Sequence, residues 1–421
     1  FIALGMVFGS DGILKIPFEN YSFAEQICSV ALVFIMFYGG FGTKLSEAKP
    51  VAVKALLLSS VGVIFTAALT TVFCFFVLKI KLLESMLIGA VMSSTDAASV
   101  FSVLRSKNLN LKYNTASMLE MESGSNDPFA YMLTVIVLSF MKGENSVGQM
   151  VYSIAAQIGF GVLIGFLIAL GAVWFMKHFT FNTSGFDAAF VLGVAVLAYA
   201  LPTLVGGNGY LSAYIVGIVL GNQNIHNKKS LVHFFDGMTG LMQMLIFFLL
   251  GLLSFPSKIL TVLLPSIFIA LFITFVARPL AVATVLAPFK TKISQYLVVS
   301  WAGLRGAASI VFAIMAMVGG VTMEQDVFHI AFCVVLFSIT LQGSLLPFVA
   351  SKTNMIDKTG SVLKTFNDYS DETEINFIRL NIDSGNRWID CAVKDISLPP
   401  QMLFAAIYRN DETIIPNGET V

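Results

Sequence analysis

Apolar runs separated by short polar or Pro/Gly-rich breaks recur along most of the chain. They predict spans near 1–9, 23–40, 51–78, 84–104, 114–140, 149–176, 186–201, 210–221, 231–253, 259–286, 294–318 and 325–349, about twelve in all. The first, FIALGMVFG, is shorter than the roughly 20 residues a spanning helix needs. It has no initiator Met and no basic flank, so it reads as the end of a helix whose beginning lies upstream rather than as a signal peptide. The run at 210–221 is short enough to suggest a broken, tilted or re-entrant segment.

After residue 350 the pattern changes. Residues 351–371 are polar and read as a linker. Beyond them INFIRLNI (375–382) alternates like a strand. The rest reads as a strand from Asp390, a Pro399-Pro400 turn, a short helical or apolar patch, a strand over LFAAIYR (403–409) and a turn at Asn417-Gly418. The expected organisation is therefore a membrane region over 1–350, a linker over 351–371 and part of a small α+β module over 372–421. A core of that size suggests pairing with the membrane region or a second copy.

Composition supports a polytopic all-α membrane protein. Hydrophobic residues make up 57% and charged residues 12%, against roughly 25% charged in soluble domains. The zero formal net charge averages two unlike regions and indicates no partner. Alternate loops differ in basic residues. One set holds Lys44, Lys49, Arg105, Lys107 and Lys112 and continues through Lys290, Lys292 and Lys352; the other holds Lys15, Lys79, Lys81, Lys142 and Lys258. By the positive-inside tendency the richer set, and with it the tail, is cytoplasmic. Cys28, Cys74, Cys333 and Cys391 lack metal-ligand spacing, and His178, His226, His233 and His329 are scattered. No phosphate loop, nucleophile–base set or nucleic-acid surface stands out.

The chemistry is concentrated in two runs. Ser93-Ser94-Thr95-Asp96 lies in the 84–104 span, and Glu122-Ser123-Gly124-Ser125-Asn126-Asp127-Pro128 in the 114–140 span. Carboxylates are costly in hydrocarbon and persist there facing a cavity, a partner or an ion path. Pro128 donates no N–H and Gly124 loosens the turn, so carbonyls beside Asp127 would be free to join hydroxyls around a desolvated monovalent cation. The plainer reading makes Asn126-Asp127-Pro128 an ordinary helix start, and Asp96 a polar contact between helices. Two aspartates in one cavity would let protons and cations compete for a site, the physical basis of exchange. Glu122, one turn before Asn126, needs a partner, and Arg305, flanked by Gly303 and Gly306, is the expected one. Arg278 reads equally as a snorkelling boundary residue or as a holder of an interfacial kink.

Together, Ser94-Thr95-Asp96-Ala97-Ala98, Glu122 through Asp127 and Gly303-Leu304-Arg305-Gly306 resemble the monovalent cation:proton antiporter family, in its NhaP branch. The chain is similar to bacterial K+/H+ antiporters of the NhaP/CvrA type, and its tail resembles the C-terminal regulatory domain of potassium-transport proteins. The resemblance implies an inverted-repeat antiporter fold with crossing broken helices, working as a homodimer in the bacterial inner membrane. It implies exchange of K+, with Na+ or Li+ as alternatives, for H+ by alternating access. Asp127 would carry cation and proton, with Asp96, Thr95 and Ser123 lining the site, while Glu122, Asn126 and Arg305 would have structural or gating roles. The neutral Asn126 beside Asp127 implies electroneutral turnover. Ala97-Ala98 departs from the Pro-Val/Ile of many sodium-selective members, so selectivity does not transfer. No cofactor is implied beyond the transported cation, although the tail would bind a small cytoplasmic ligand, a nucleotide being one candidate. The competing reading is a ligand-gated cation channel, against which no filter repeat of the TVGYG kind is present.

Overall fold

The computed structural model describes residues 1–107, 109–143, 146–179, 185–225 and 227–357, and in the tail 380, 382, 386, 388–396, 398, 402–409 and 412–420. Two compact units separate, Phe1–Asp368 and Tyr369–Val421.

The first unit is helical, as the apolar runs predict. Among the described residues seven helices are long and apolar enough to cross a membrane: Tyr21–Gly42, Ala52–Phe76, Gly148–His178, Phe186–Leu204, Lys228–Leu253, Pro256–Phe289 and Val327–Lys352. Thr115–Met141 is 27 residues long but carries Glu120, Glu122, Asn126 and Asp127, and it is not in that set. Polar side chains start several helices. Asn20 accepts from Phe23 N at 2.9 Å, Asn208 from Leu211 N at 3.0 Å and Asp326 from His329 N at 3.1 Å, each replacing a helical acceptor the first turn lacks. The short run at 210–221 is an unbroken 13-residue helix, Gly209–Gly221. At 1.5 Å per residue it is about 20 Å long, less than the hydrocarbon thickness.

Two predicted spans are each divided into half-helices. Leu82–Val91 and Ala97–Ser106 flank a break at Met92–Asp96; Ile293–Trp301 and Ala307–Val318 flank one at Ala302–Gly306. The break expected beside Pro128 does not occur, because Thr115–Met141 runs through that proline as one helix. This also removes the reading of Asn126-Asp127-Pro128 as a helix start. A proline removes a single N–H from the ladder, whereas at 92–96 several side chains compete with the ladder at once. Ser93 Oγ donates to Ala90 O (2.6 Å), and Asp96 caps the next half-helix by accepting from Ser99 N (3.3 Å) and Ser99 Oγ (2.5 Å).

The breaks meet and satisfy each other's backbone. Asp96 N donates to Leu304 O (2.8 Å), and Arg305 Nη1 donates to Ser93 O (2.9 Å) and Ser94 O (2.6 Å). Irregular backbone is tolerated at membrane depth when buried in protein in this way. A π-helical turn at Ser338–Gly343 braces the second break. Ser338 Oγ accepts from Arg305 N at 3.0 Å, and Gln342 Nε2 donates to Trp301 O at 2.6 Å.

A small ladder closes the tail-side end of this unit. Strand β1 (Asn110–Leu111) sits between the Asp96 half-helix and the Asp127 helix. It pairs antiparallel with β2 (Ile356–Asp357), just past the last helix. Lys112 adds N–H···O to Met355 and Nζ···O to Asn354, both 2.9 Å.

In the second unit β3 (Ile407–Arg409) and β4 (Glu412–Ile414) form a hairpin within the predicted strand-and-turn region. The strand expected from Asp390 is instead a 3-10 turn at Val393–Asp395. Its backbone N–H groups bond Thr420 O and Gly418 O (2.9 and 3.0 Å), which ties it to the Asn417-Gly418 turn. The predicted strand at 375–382 lies outside the described residues except for Leu380 and Ile382, neither of which is in a strand. Linker residues 358–371 also lie outside them.

Candidate functional site

Ser123, Asn126 and Asp127 stand three and four residues apart on one helix, so they share a face. That face meets the first break. Ser123 Oγ donates to Thr95 O (2.6 Å), Asn126 Nδ2 to Thr95 Oγ1 (2.5 Å), and Ser94 Oγ to an Asp127 carboxylate oxygen. Asp127 is 5% exposed and Asn126 fully buried. Asp96 is half-buried and within electrostatic reach of Asp127, although its carboxylate turns toward Ser99. A Cβ on Gly306 would overlap that carboxylate, so the glycine makes room for it.

The cluster is rich in oxygen. Beside the Asp127 carboxylate stand the hydroxyls of Ser94, Thr95 and Ser123, and Asn126 Oδ1 is buried without a hydrogen-bond partner. A buried acceptor left unmatched is costly, and a monovalent cation or a proton-bearing group would satisfy it. Hard cations prefer such oxygen sets.

The structure brings Asp127, Asn126, Ser123, Thr95 and Asp96 together at the crossing. It corrects the expected Glu122–Arg305 pair, since Glu122 Oε1 binds Arg278 Nη2 at 2.6 Å, with side-chain exposures of 1% and 3%. Arg305 is close enough to feel both charges, but its guanidinium is drawn to carbonyls that the first break leaves without helical donors. The flanking glycines had suggested close approach to Glu122. Instead Gly303 opens space for Arg278, whose Nε would lie 2.7 Å from an added Cβ, and Gly306 opens space for Asp96. The buried Arg278 does not snorkel. It follows directly on a π-helical turn, Ile273–Ala277, a feature frequent at functional positions.

Three partners escaped the sequence reading. Ser94 was visible in its hydroxyl run, but nothing ranked it as the residue bonded to Asp127. Asn208 donates to Pro128 O at 2.8 Å, and its signal was Gly-Gly-Asn-Gly before a short apolar run. Tyr214 packs where a Cβ on Gly124 would collide with its ring; no local pattern announces that contact.

The sodium/hydrogen exchanger family, transmembrane region, matches residues 1–352. The K(+)/H(+) antiporter NhaP2 of Shewanella sp. strain MR-4 is 35% identical over all of this chain and 74% of its own length. The K(+)/H(+) antiporter NhaP of Alkalimonas amylolytica is 31% identical with the same coverage. In fold, the sodium proton antiporter MjNhaP1 of Methanocaldococcus jannaschii at pH 8 superposes with a TM-score of 0.73. The match has 24% identity and covers 82% of this chain and 91% of that one.

Proposed function

The chain belongs to the sodium/hydrogen exchanger family, and on that premise we propose that Asp127 is the group through which it exchanges a monovalent cation for protons. It is a multi-pass membrane secondary transporter and not an enzyme. The observation carrying the proposal is the convergence of a buried carboxylate, three hydroxyls and an unmatched amide oxygen where two helices are broken. Protonation or cation binding neutralises Asp127, and either lets the site move between the two membrane faces. The bare carboxylate is penalised by desolvation. Exchange follows because one carboxylate cannot hold both charges. Asp96, Thr95 and Ser123 line the site. Glu122 with Arg278, and Arg305 with the Ser93 and Ser94 carbonyls, hold its walls.

K+ is the favoured cation, supported by the names of the two relatives, and the neutral Asn126 supports one-for-one exchange. We place the protein in a bacterial inner membrane as a homodimer, with residues 372–421 forming part of a cytoplasmic regulatory domain for a small ligand, a nucleotide being one candidate. The channel reading has no support from these relatives, which are named as antiporters.

The test is proton movement in proteoliposomes challenged with K+, Na+ and Li+ across a pH series. Asp127→Asn is expected to reduce cation-driven proton flux to background for all three ions. Transport at the wild-type rate would remove Asp127 from the carrier role. Acidification should raise the apparent KM for the cation, through direct competition.

A further inference from the structure

The Asp127 helix is bonded on one side to the first break, through Ser123, Asn126 and Asp127 itself. On another side it meets the short helix Gly209–Gly221. There Asn208 Nδ2 donates at 2.8 Å to Pro128 O, the main-chain oxygen of the residue after Asp127. Asn208 is 2% exposed, and the rest of it is committed to its own turn. Its Oδ1 caps the helix by accepting from Leu211 N, and its N–H donates to Gln157 O at 3.0 Å. The turn cannot shift alone, because a Cβ on Gly207 would stand 2.8 Å from Phe160 Cβ and one on Gly209 2.5 Å from Tyr199 O.

Gly209–Gly221 is in turn built into Tyr21–Gly42 and Gly148–His178. Gly217 and Gly221 lie against the carbonyls of Phe37 and Phe41, and Gly40 lies against that of Tyr214, so closely that a Cβ at any of the three would overlap the oxygen. Gly165 makes similar room for Ser212. Main chains in such contact behave as one piece, since close-packed interiors do not deform continuously. Toward the Asp127 helix the surface changes character. Gly124 offers no side chain to the Tyr214 ring, and Tyr131 stands edge-on to Tyr210 with centroids 5.0 Å apart. Ring contacts of this kind fix no register along the helix, whereas the Asn208 bond is directional and does.

We propose that Asn208 is a positioning residue for the exchange step: its bond to Pro128 O holds the Asp127 turn against Gly209–Gly221 in one access state and opens when the site passes to the other. This rests on the reading of Asp127 as a carrier that serves the two membrane faces in turn. One neutral hydrogen bond weights the state that contains it about fivefold. A site that is competent for only a fraction of the time shows an affinity reduced by that fraction. Loss of the bond therefore raises KM at the face served by this state and lowers it at the other. A defect in packing or capping has no such opposed effect.

The experiment measures K+-driven proton flux for the full chain and its variants in vesicles, with K+ supplied at one face at a time. Asn208→Ser keeps a side-chain oxygen that can cap Leu211 N but is too short to reach Pro128 O. Its two KM values are expected to move in opposite directions, changing their ratio about fivefold. Two unchanged KM values, or two that move the same way, overturn the proposal. If Asn208→Ser does not reach the membrane, Asn208→Thr, which also caps, carries the test with the same expected and overturning results. Failure of the carrier assignment looks different: either wild-type vesicles show no cation-driven proton flux, or Asp127→Asn retains it.

Discussion

The breaks at Met92–Asp96 and Ala302–Gly306 pose the same backbone problem and solve it with opposite chemistry. Each interrupts a helix inside apolar surroundings and frees amides and carbonyls that lipid cannot satisfy. The first is built from hydroxyls and a carboxylate, which cap, accept and face Asp127. The second has two glycines and one arginine. It contributes space for Asp96 and Arg278, and a guanidinium aimed at the first break's carbonyls. The difference teaches that the two sides of the crossing divide the work: one offers oxygens to Asp127 and the other holds a permanent countercharge. If both breaks carried acids, nothing would fix the carbonyls. If both carried arginine and glycine, no hydroxyl would face Asp127.

Removing the countercharge should break this division most severely. Hydrogen bonds to charged groups contribute about 1.5–3 kcal/mol each, so Arg305→Met, which loses two, should cost roughly 3–6 kcal/mol. Thermal unfolding in detergent and loss of exchange would register it. A stable, active Arg305→Met would mean the second break is only a spacer. Next in size, Glu122→Gln leaves Arg278 buried without its partner, a change worth about 3–5 kcal/mol. The double variant Glu122→Gln, Arg278→Gln should regain part of that loss, and a double-mutant cycle with Arg305 in place of Arg278 should show weaker coupling. Stronger coupling to Arg305 would restore the pairing first expected from sequence.

Gly306→Ala should cost less in stability, about 1–3 kcal/mol by crowding, but should slow exchange because the added methyl displaces Asp96. Equal transport in this variant would disconnect the two breaks. The smallest effect is expected for Thr95→Val. It removes the hydroxyl that accepts from Asn126 but keeps the main-chain oxygen that accepts from Ser123, at a cost of about 1 kcal/mol. Exchange in this variant should fall but remain measurable, unlike Asp127→Asn.

The helical membrane architecture was readable because a membrane span is a length of apolar chain, and that is a local property. So was the pairing of chemistry at the first break with Asp127, since carboxylates stand out in hydrocarbon. The location of irregular backbone was less legible. Pro128 is a strong breaker by reputation, yet its helix continues, while Ser93 through Asp96 end theirs by satisfying the backbone from side chains. The choice between Arg278 and Arg305 as partner of Glu122 depended on which glycine cleared space for which side chain. Distances between residues more than 150 positions apart leave no trace in spacing. In the tail, the run from Asp390 toward the Pro399-Pro400 turn reads as a strand, but Val393 and Lys394 bond the Asn417-Gly418 turn region instead of a neighbouring strand.

The two-residue ladder between β1 and β2 has a consequence for biogenesis. Every oxygen around Asp127 has been synthesised by residue 127, and both broken helices by residue 318. The loop joining the Asp96 half-helix to the Asp127 helix is held at Tyr113 by Lys292 and Gln295, but it gains its strand partner only when Met355–Asp357 emerge and close on Asn110–Lys112. A chain stopped at Lys352 would hold every group around Asp127 without that ladder. The root of the tail is thus part of the membrane unit's own fastening, and it is made after every group around Asp127.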